Sequence, residues 1–142
     1  MTCQQYLKNL EVPNGKIDVV LDTDTYNEVD DQFAVAYLLA NQDKCDIKAF
    51  YAAPFFNENS TSPADGMEKS YNELCTLLAL ANYADFKQRT FRGADAYLPD
   101  EKTPVISDAA KHLSALAGTY TPENRSSSSL SAQSLTWLLP CC

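Results

Sequence analysis

The chain has 142 residues, of which 11 are basic and 19 acidic, giving a net charge of −8. That acidity argues against a phosphate backbone or an anionic membrane surface as a partner. Apolar residues make up 45% of the chain, with only 4 glycines against 8 tyrosines and 6 phenylalanines, which excludes disordered, collagen-like and low-complexity classes.

In chain order, the first strong signal is IDVVL at 17–21, a short β-branched run that predicts a buried strand. From Asp30, DDQFAVAYLLA predicts a helix, with Phe33, Ala36, Tyr37 and Ala40 at helical spacing and carboxylates where the dipole favours them. DIKAFYAA at 46–53 reads as a second strand, and a polar loop follows from Pro54 to Asp65. Ser62-Pro63 then reads as an N-cap with proline at the first helical position. Behind it Met67, Tyr71, Leu74, Leu78 and Ala81 mark one apolar helix face. A third strand is expected at 87–92, with a turn from Gly93. A helix is expected from Ser107 to Ala117, with Ala110, Leu113, Leu116 and Ala117 inward. This alternation predicts an α/β fold, an open parallel sheet flanked by helices.

Residues 1–16, MTCQQYLKNLEVPNGK, have no apolar core, so no secretory signal is expected. No apolar run approaches the roughly eighteen residues that span a bilayer. Cys3, Cys45, Cys75, Cys141 and Cys142 are odd in number and lack CxxC spacing. Reduced thiols in a cytoplasmic protein are therefore expected, in place of disulfides or a structural zinc site.

The segment that carries chemistry is VVLDTDTYNEVDDQFAVAYLL. Asp22, Asp24, Glu28, Asp30 and Asp31 fall where a buried strand hands over to a helix. Ligands of open parallel sheets sit at the carboxyl ends of the strands. Four aspartates converging there repel one another unless a cation neutralises them, and oxygen-only donors select calcium or magnesium. An EF-hand counted from Asp22 would put Asn27 where glycine is required and Phe33 where glutamate is required, so that reading fails. An aspartate-nucleophile phosphatase of the haloacid-dehalogenase type remains an alternative, with Asp22 as nucleophile, Asp24 as acid/base and magnesium. Its DxDx[TV] motif needs no aspartate pair opening the next helix. GxSxG, Walker A, GxGxxG and HExxH motifs are absent. His112, the single histidine, is expected on the solvent side of its helix. The Tyr and Phe residues fall at core spacings, without a stacking platform for bases.

DTDTYNEVDDQFAVAYLL resembles the N-terminal signature of the inosine/uridine-preferring nucleoside hydrolases, in a variant with a two-residue longer spacing before the DD pair. IKAFYAAPFFN, FRGAD and SDAAKHLSALA extend the likeness over roughly residues 16–125. The resemblance implies a Rossmann-like nucleoside hydrolase fold. It also implies calcium-dependent hydrolysis of the N-glycosidic bond of ribonucleosides to ribose and free base, as in purine and pyrimidine salvage. By motif match, Asp24 and Asp31 would be calcium ligands and Asp24 also the general base. Asp30 and Asn57 would hold ribose hydroxyls, and Asp22 would support the cluster from behind. Intact relatives are expected to be homo-oligomers; neither nucleic acid nor membrane is an expected partner.

The last 17 residues, Ser126–Cys142, depart from this pattern: they hold the single tryptophan, two cysteines and no charge. The serine run at 126–129 reads as a linker by composition. Re-read one base out of frame with permitted codons, residues 126–142 can become FIIAIGAITNVASAML, which resembles the strand and TN turn the family has next. Residues 1–125 are thus expected to be the N-terminal part of a nucleoside hydrolase domain and 126–142 an out-of-frame tail. In that case the family's backbone-carbonyl calcium ligand and its C-terminal aspartate and ribose-binding residues are lacking, and the chain alone is expected to be inactive. An inert, non-enzymatic fragment is the remaining alternative.

Overall fold

The computed structural model describes residues 3, 4, 7, 15–120 and 127–130. Its centre is a parallel sheet of β1 (Ile17–Thr23), β2 (Cys45–Ala52), β3 (Thr90–Arg92) and β4 (Ser127–Leu130), in the spatial order β3-β2-β1-β4. The helices between them are α1 (Val29–Ala40), α2 (Pro63–Leu80) and α3 (Asp108–Ala117). The α/β class expected from the strand–helix alternation is therefore present. Among the described residues no helix is long and apolar enough to cross a membrane.

The two faces of the sheet are covered by different helices. On one, Val19, Leu21, Ile47, Phe50 and Ala52 pack with Val35, Leu38 and Leu39 of α1 and Met67, Leu74 and Leu78 of α2. On the other, Val20, Ala49 and Tyr51 meet Ala109, Leu113 and Leu116 of α3. Ile47 and Ala49 lie on opposite faces although two residues apart, because the pairing slips there: Val19 is opposite Ile47 but Val20 is opposite Ala49. The extra residue, Lys48, forms a bulge that reverses the alternation of β2. Its ammonium closes on Asp46 at 2.5 Å and Asp18 at 3.2 Å, so the unpaired residue is held by charge.

The α2 start follows the sequence: Ser62 Oγ accepts from the Asp65 N–H at 3.1 Å, with Pro63 in the first turn. Gly66 allows this turn to lie against the backbone of Phe55, whose carbonyl a Cβ would overlap. Ser107 caps α3 in the same way, through the Ala110 N–H.

Three expectations need correction. The α1 row Phe33, Ala36, Tyr37 and Ala40 is exposed, and the helix buries Asp31, Val35, Leu38 and Leu39. This helix is apolar on both sides, so spacing alone does not fix its rotation; the inward seat of Asp31 does. The third strand is only Thr90–Arg92, because Ala84–Arg89 winds into a 3₁₀ helix whose Phe86 packs on the α1/α2 side of the core. On α3 the fully buried residue is Ala109, one position from the expected Ala110.

Candidate functional site

The strand order places the acidic turn. The chain steps from β1 to β2 to β3 in one direction, then returns across the sheet to put β4 on the other side of β1. Helices α1 and α2 accompany the outward steps on one face, and α3 accompanies the return on the other. The order reverses between β1 and β4, and a crevice opens beyond the carboxyl ends of two such strands. Asp22 lies in β1 opposite Tyr51 of β2 and Leu130 of β4, and Asp24 is the first residue past the strand.

Asp22, Asp24 and Asp31 are each less than 8% exposed. Asp24 and Asp31 are brought together. The Asp24 N–H donates to Asp31 Oδ2 at 3.1 Å, and the two carboxyl groups face each other. Burial is the main reason that Asp31 is pushed up to about 7, and the Asp24 carboxyl adds to it. The Thr23 hydroxyl and the Asp24 amide pull the other way without cancelling the rise. Asp31 thus keeps its proton to higher pH than an ordinary carboxyl does.

The remaining predicted residues divide. Asp22 points to the α3 face, where its charge acts on the Tyr51 hydroxyl. Asp30 and Glu28 are exposed, so the four aspartates do not converge on a single point. Asn57, also exposed, reaches the pair through a residue that the sequence reading passed over. The Asn57 side-chain amide donates to Asn27 Oδ1 at 2.5 Å, and the Asn27 amide donates to Asp24 Oδ2 at 2.9 Å. Asn27 also closes a backbone turn onto the Asp24 carbonyl at 2.7 Å. Its place in the T-Y-N-E-V stretch, inside the longer spacing, was the available signal. An amide there can donate to a carboxylate and accept from a neighbour at once.

Thr23 and Thr25 are both fully buried; the Thr23 hydroxyl lies close enough to Asp31 to act on it, whereas that of Thr25 has no hydrogen-bond partner among the described residues. A buried hydroxyl without a partner is uncommon enough to require a cause, and Thr25 directly follows Asp24 in the chain. Among the described residues no group of three or more His, Cys, Asp or Glu side chains forms a metal cage. The tail expected to be out of frame contributes only Ser127–Leu130 to the described residues; they pair in parallel with Val19–Asp22.

His112 is not on the solvent side. It is half-buried, with Nδ1 2.8 Å from the Tyr51 hydroxyl and its ring stacked on Phe91 at 4.2 Å. The aromatic residues also depart from the core reading, since Tyr26, Phe33, Tyr37, Phe56 and Tyr97 are exposed.

Comparison with models of known protein families, with curated proteins and with solved structures finds no match to this chain.

Proposed function

We propose that the chain carries the acidic half of a calcium-dependent nucleoside N-ribohydrolase site on a Rossmann-like nucleoside hydrolase fold. The observation that supports this reading is the buried Asp24–Asp31 pair at the strand end where the sheet order reverses. Two carboxyl groups are withdrawn from water and face each other, an arrangement that favours a cation between them.

The donors suit a hard ion in kind: carboxylate oxygens, with the hydroxyls of Thr23 and Thr25 alongside in the chain. They fall short in number, since calcium takes about six to eight oxygens. Asp24 and Asp31 would hold the ion, and weakly. When bound, calcium supplies a template for the ribose diol and makes water easier to deprotonate.

The chain's own residues account for the rest of the half-site. Asp24 accepts the proton of the attacking water, with Oδ2 held by the Asn27 amide so that the carboxylate cannot swing away. Asp30 and Asn57 are exposed and available to ribose hydroxyls, while Asp22 adds negative charge behind the turn. As the N-glycosidic bond breaks, positive charge grows on the ribose ring, and these carboxylates stabilise it. The electron pair of the broken bond leaves with the base. Protonation of that base falls to residues the resemblance assigns to the family's C-terminal half. The same reading makes residues 126–142 a frame-shifted form of the family's next strand. Sequencing the gene across codons 125–142 tests this: the hidden peptide is expected in the shifted frame, and its absence from the DNA overturns the frameshift.

The functional reading is tested by calorimetric titration of the full chain with calcium, then with an iminoribitol, a ribose mimic carrying the ring's positive charge. Calcium binding that is lost in Asp24→Ala, and iminoribitol binding that requires calcium, are expected. Calcium binding unaffected by Asp24→Ala overturns the proposal.

A further inference from the structure

The outer face of α1 repeats the pattern of a core face. Val29, Phe33 and Tyr37 follow one another at one-turn intervals and are 63%, 70% and 66% exposed; Ala36 and Ala40 are exposed beside them. These five residues fall within a stripe about 100° wide, the width of a helix face that packs on another element. From Gln32 to Gln42 the chain has no charged residue. A Phe or Tyr ring removes roughly 150–250 Å² from water when buried. With Val29 and the two alanines, the stripe offers roughly 450 Å², the scale at which an exposed apolar patch marks an interaction site.

The layout of the stripe is complementary to itself. Large and small side chains alternate along it: Phe33, Ala36, Tyr37, Ala40. A second copy of α1 running the opposite way, with a two-fold axis between Ala36 and Tyr37, sets Phe33 against Ala40 and Tyr37 against Ala36. Symmetry repeats both contacts, and each ring enters the gap beside an alanine of the other copy. We propose that α1 pairs with α1 of a second copy, antiparallel and two-fold symmetric, through Val29, Phe33, Ala36, Tyr37 and Ala40.

The charges at the helix ends select the same direction. Glu28 and Asp30 lie at the start of α1, Asp43 and Lys44 follow its end, and all four are exposed. A parallel pair would set Glu28 and Asp30 against the same two carboxylates, which repel. In the antiparallel pair Lys44 comes beside them, with Asp43 offsetting part of the gain, and the helix dipoles oppose favourably. Two stripes give roughly 900 Å², and the rim of Glu28, Asp30 and Lys44 brings the total to the roughly 1,000 Å² a specific interface requires. So small an interface, between chains of net charge −8, should give a weak dimer with a Kd of about 10–100 μM. Neither calcium nor the Asp24–Asp31 pair takes part, so this pairing stands or falls apart from the nucleoside reading.

Sedimentation equilibrium of the full chain in calcium-free buffer, from about 5 to about 500 μM, reads the association. A monomer–dimer curve is expected, and Phe33→Ser should weaken it at least roughly tenfold, with circular dichroism unchanged. Ala36→Leu separates the proposed register from general stickiness. It adds apolar surface, yet its side chain collides with Tyr37 of the second copy, so dimerisation should again fall at least roughly tenfold. NMR of the unaltered chain requires no variant: amide shifts of residues 29–44 should move with concentration, and those of α2 and α3 should not. A chain that stays monomeric throughout, as when the stripe receives a different protein, overturns the proposal. So do association beyond two copies, dimerisation that Ala36→Leu strengthens or leaves unchanged, and concentration-dependent shifts that avoid α1.

Discussion

The backbone N–H of Asp24 donates to the side chain of Asp31 across seven residues of chain. This bond ties the turn leaving β1 to the first turn of α1, and fixes how the helix is rotated on the sheet. With Asp31 turned inward, Val35, Leu38 and Leu39 follow it on the same side at helical spacing. Val29, Phe33 and Tyr37 then face outward, each more than 60% exposed. A carboxyl pair thus determines which apolar row of an otherwise ambiguous helix becomes core.

That rotation has a thermodynamic test. Phe33→Ser should change stability by less than about 0.5 kcal/mol. Val35→Ala, at a fully buried position, should cost about 2 kcal/mol. Urea denaturation midpoints measured side by side distinguish the two faces.

The same pair sets a pH dependence. Asp31 titrates near 3.8 in the unfolded chain and at about 7 in the folded one. The folded state therefore binds more protons between these values, and stability falls as pH rises through that window. The contribution is complete below about pH 4 and lost above about pH 7. In calcium-free buffer, Asp31→Asn mimics the protonated group and should remove this decline. It should leave the variant about 2 kcal/mol more stable than the native chain at pH 8, as read from denaturation curves at pH 5 and 8.

Calcium has to displace the Asp31 proton. Its affinity should therefore rise with pH and level off above Asp31's titration, being roughly tenfold weaker at pH 6 than at pH 8. Asn27→Ala, which releases both Asp24 and Asn57, should weaken it by about tenfold at either pH. Terbium luminescence with calcium competition measures both effects.

Gly66→Ala should destabilise by about 1–3 kcal/mol. The added methyl would overlap the Phe55 carbonyl, which is backbone and cannot turn aside. Because Phe55 leads into the Asn57 loop, the variant should also weaken the Asn57–Asn27 contact, visible as a shift of the Asn57 side-chain amide in NMR.

Much of the fold was legible because it is written locally. The β-branched run at 17–21 became β1, and Ser62-Pro63 and Ser107 start their helices where the N-cap chemistry of serine and the fixed φ of proline require. Phe33 and Tyr37 misled because a helix apolar all round has no preferred side until something external orients it. The bulge at Lys48 was also hidden, since a one-residue slip between strands leaves no mark on the periodicity of either.

For the site, the sequence alone determined that acidic side chains gather where a buried strand ends, because residue order there is residue proximity. Tertiary structure decided which of them meet. It turned Asp24 and Asp31 toward each other, sent Asp22 to the face of Tyr51, left Asp30 in water and inserted Asn27 between Asp24 and Asn57. It also moved His112 from an expected surface role into contact with Tyr51 and Phe91 of two strands. The division has a physical origin. A chain segment fixes which groups are near one another along the backbone, whereas their orientation depends on surfaces contributed by residues 30 or 61 positions away. Those surfaces exist only once the sheet has formed.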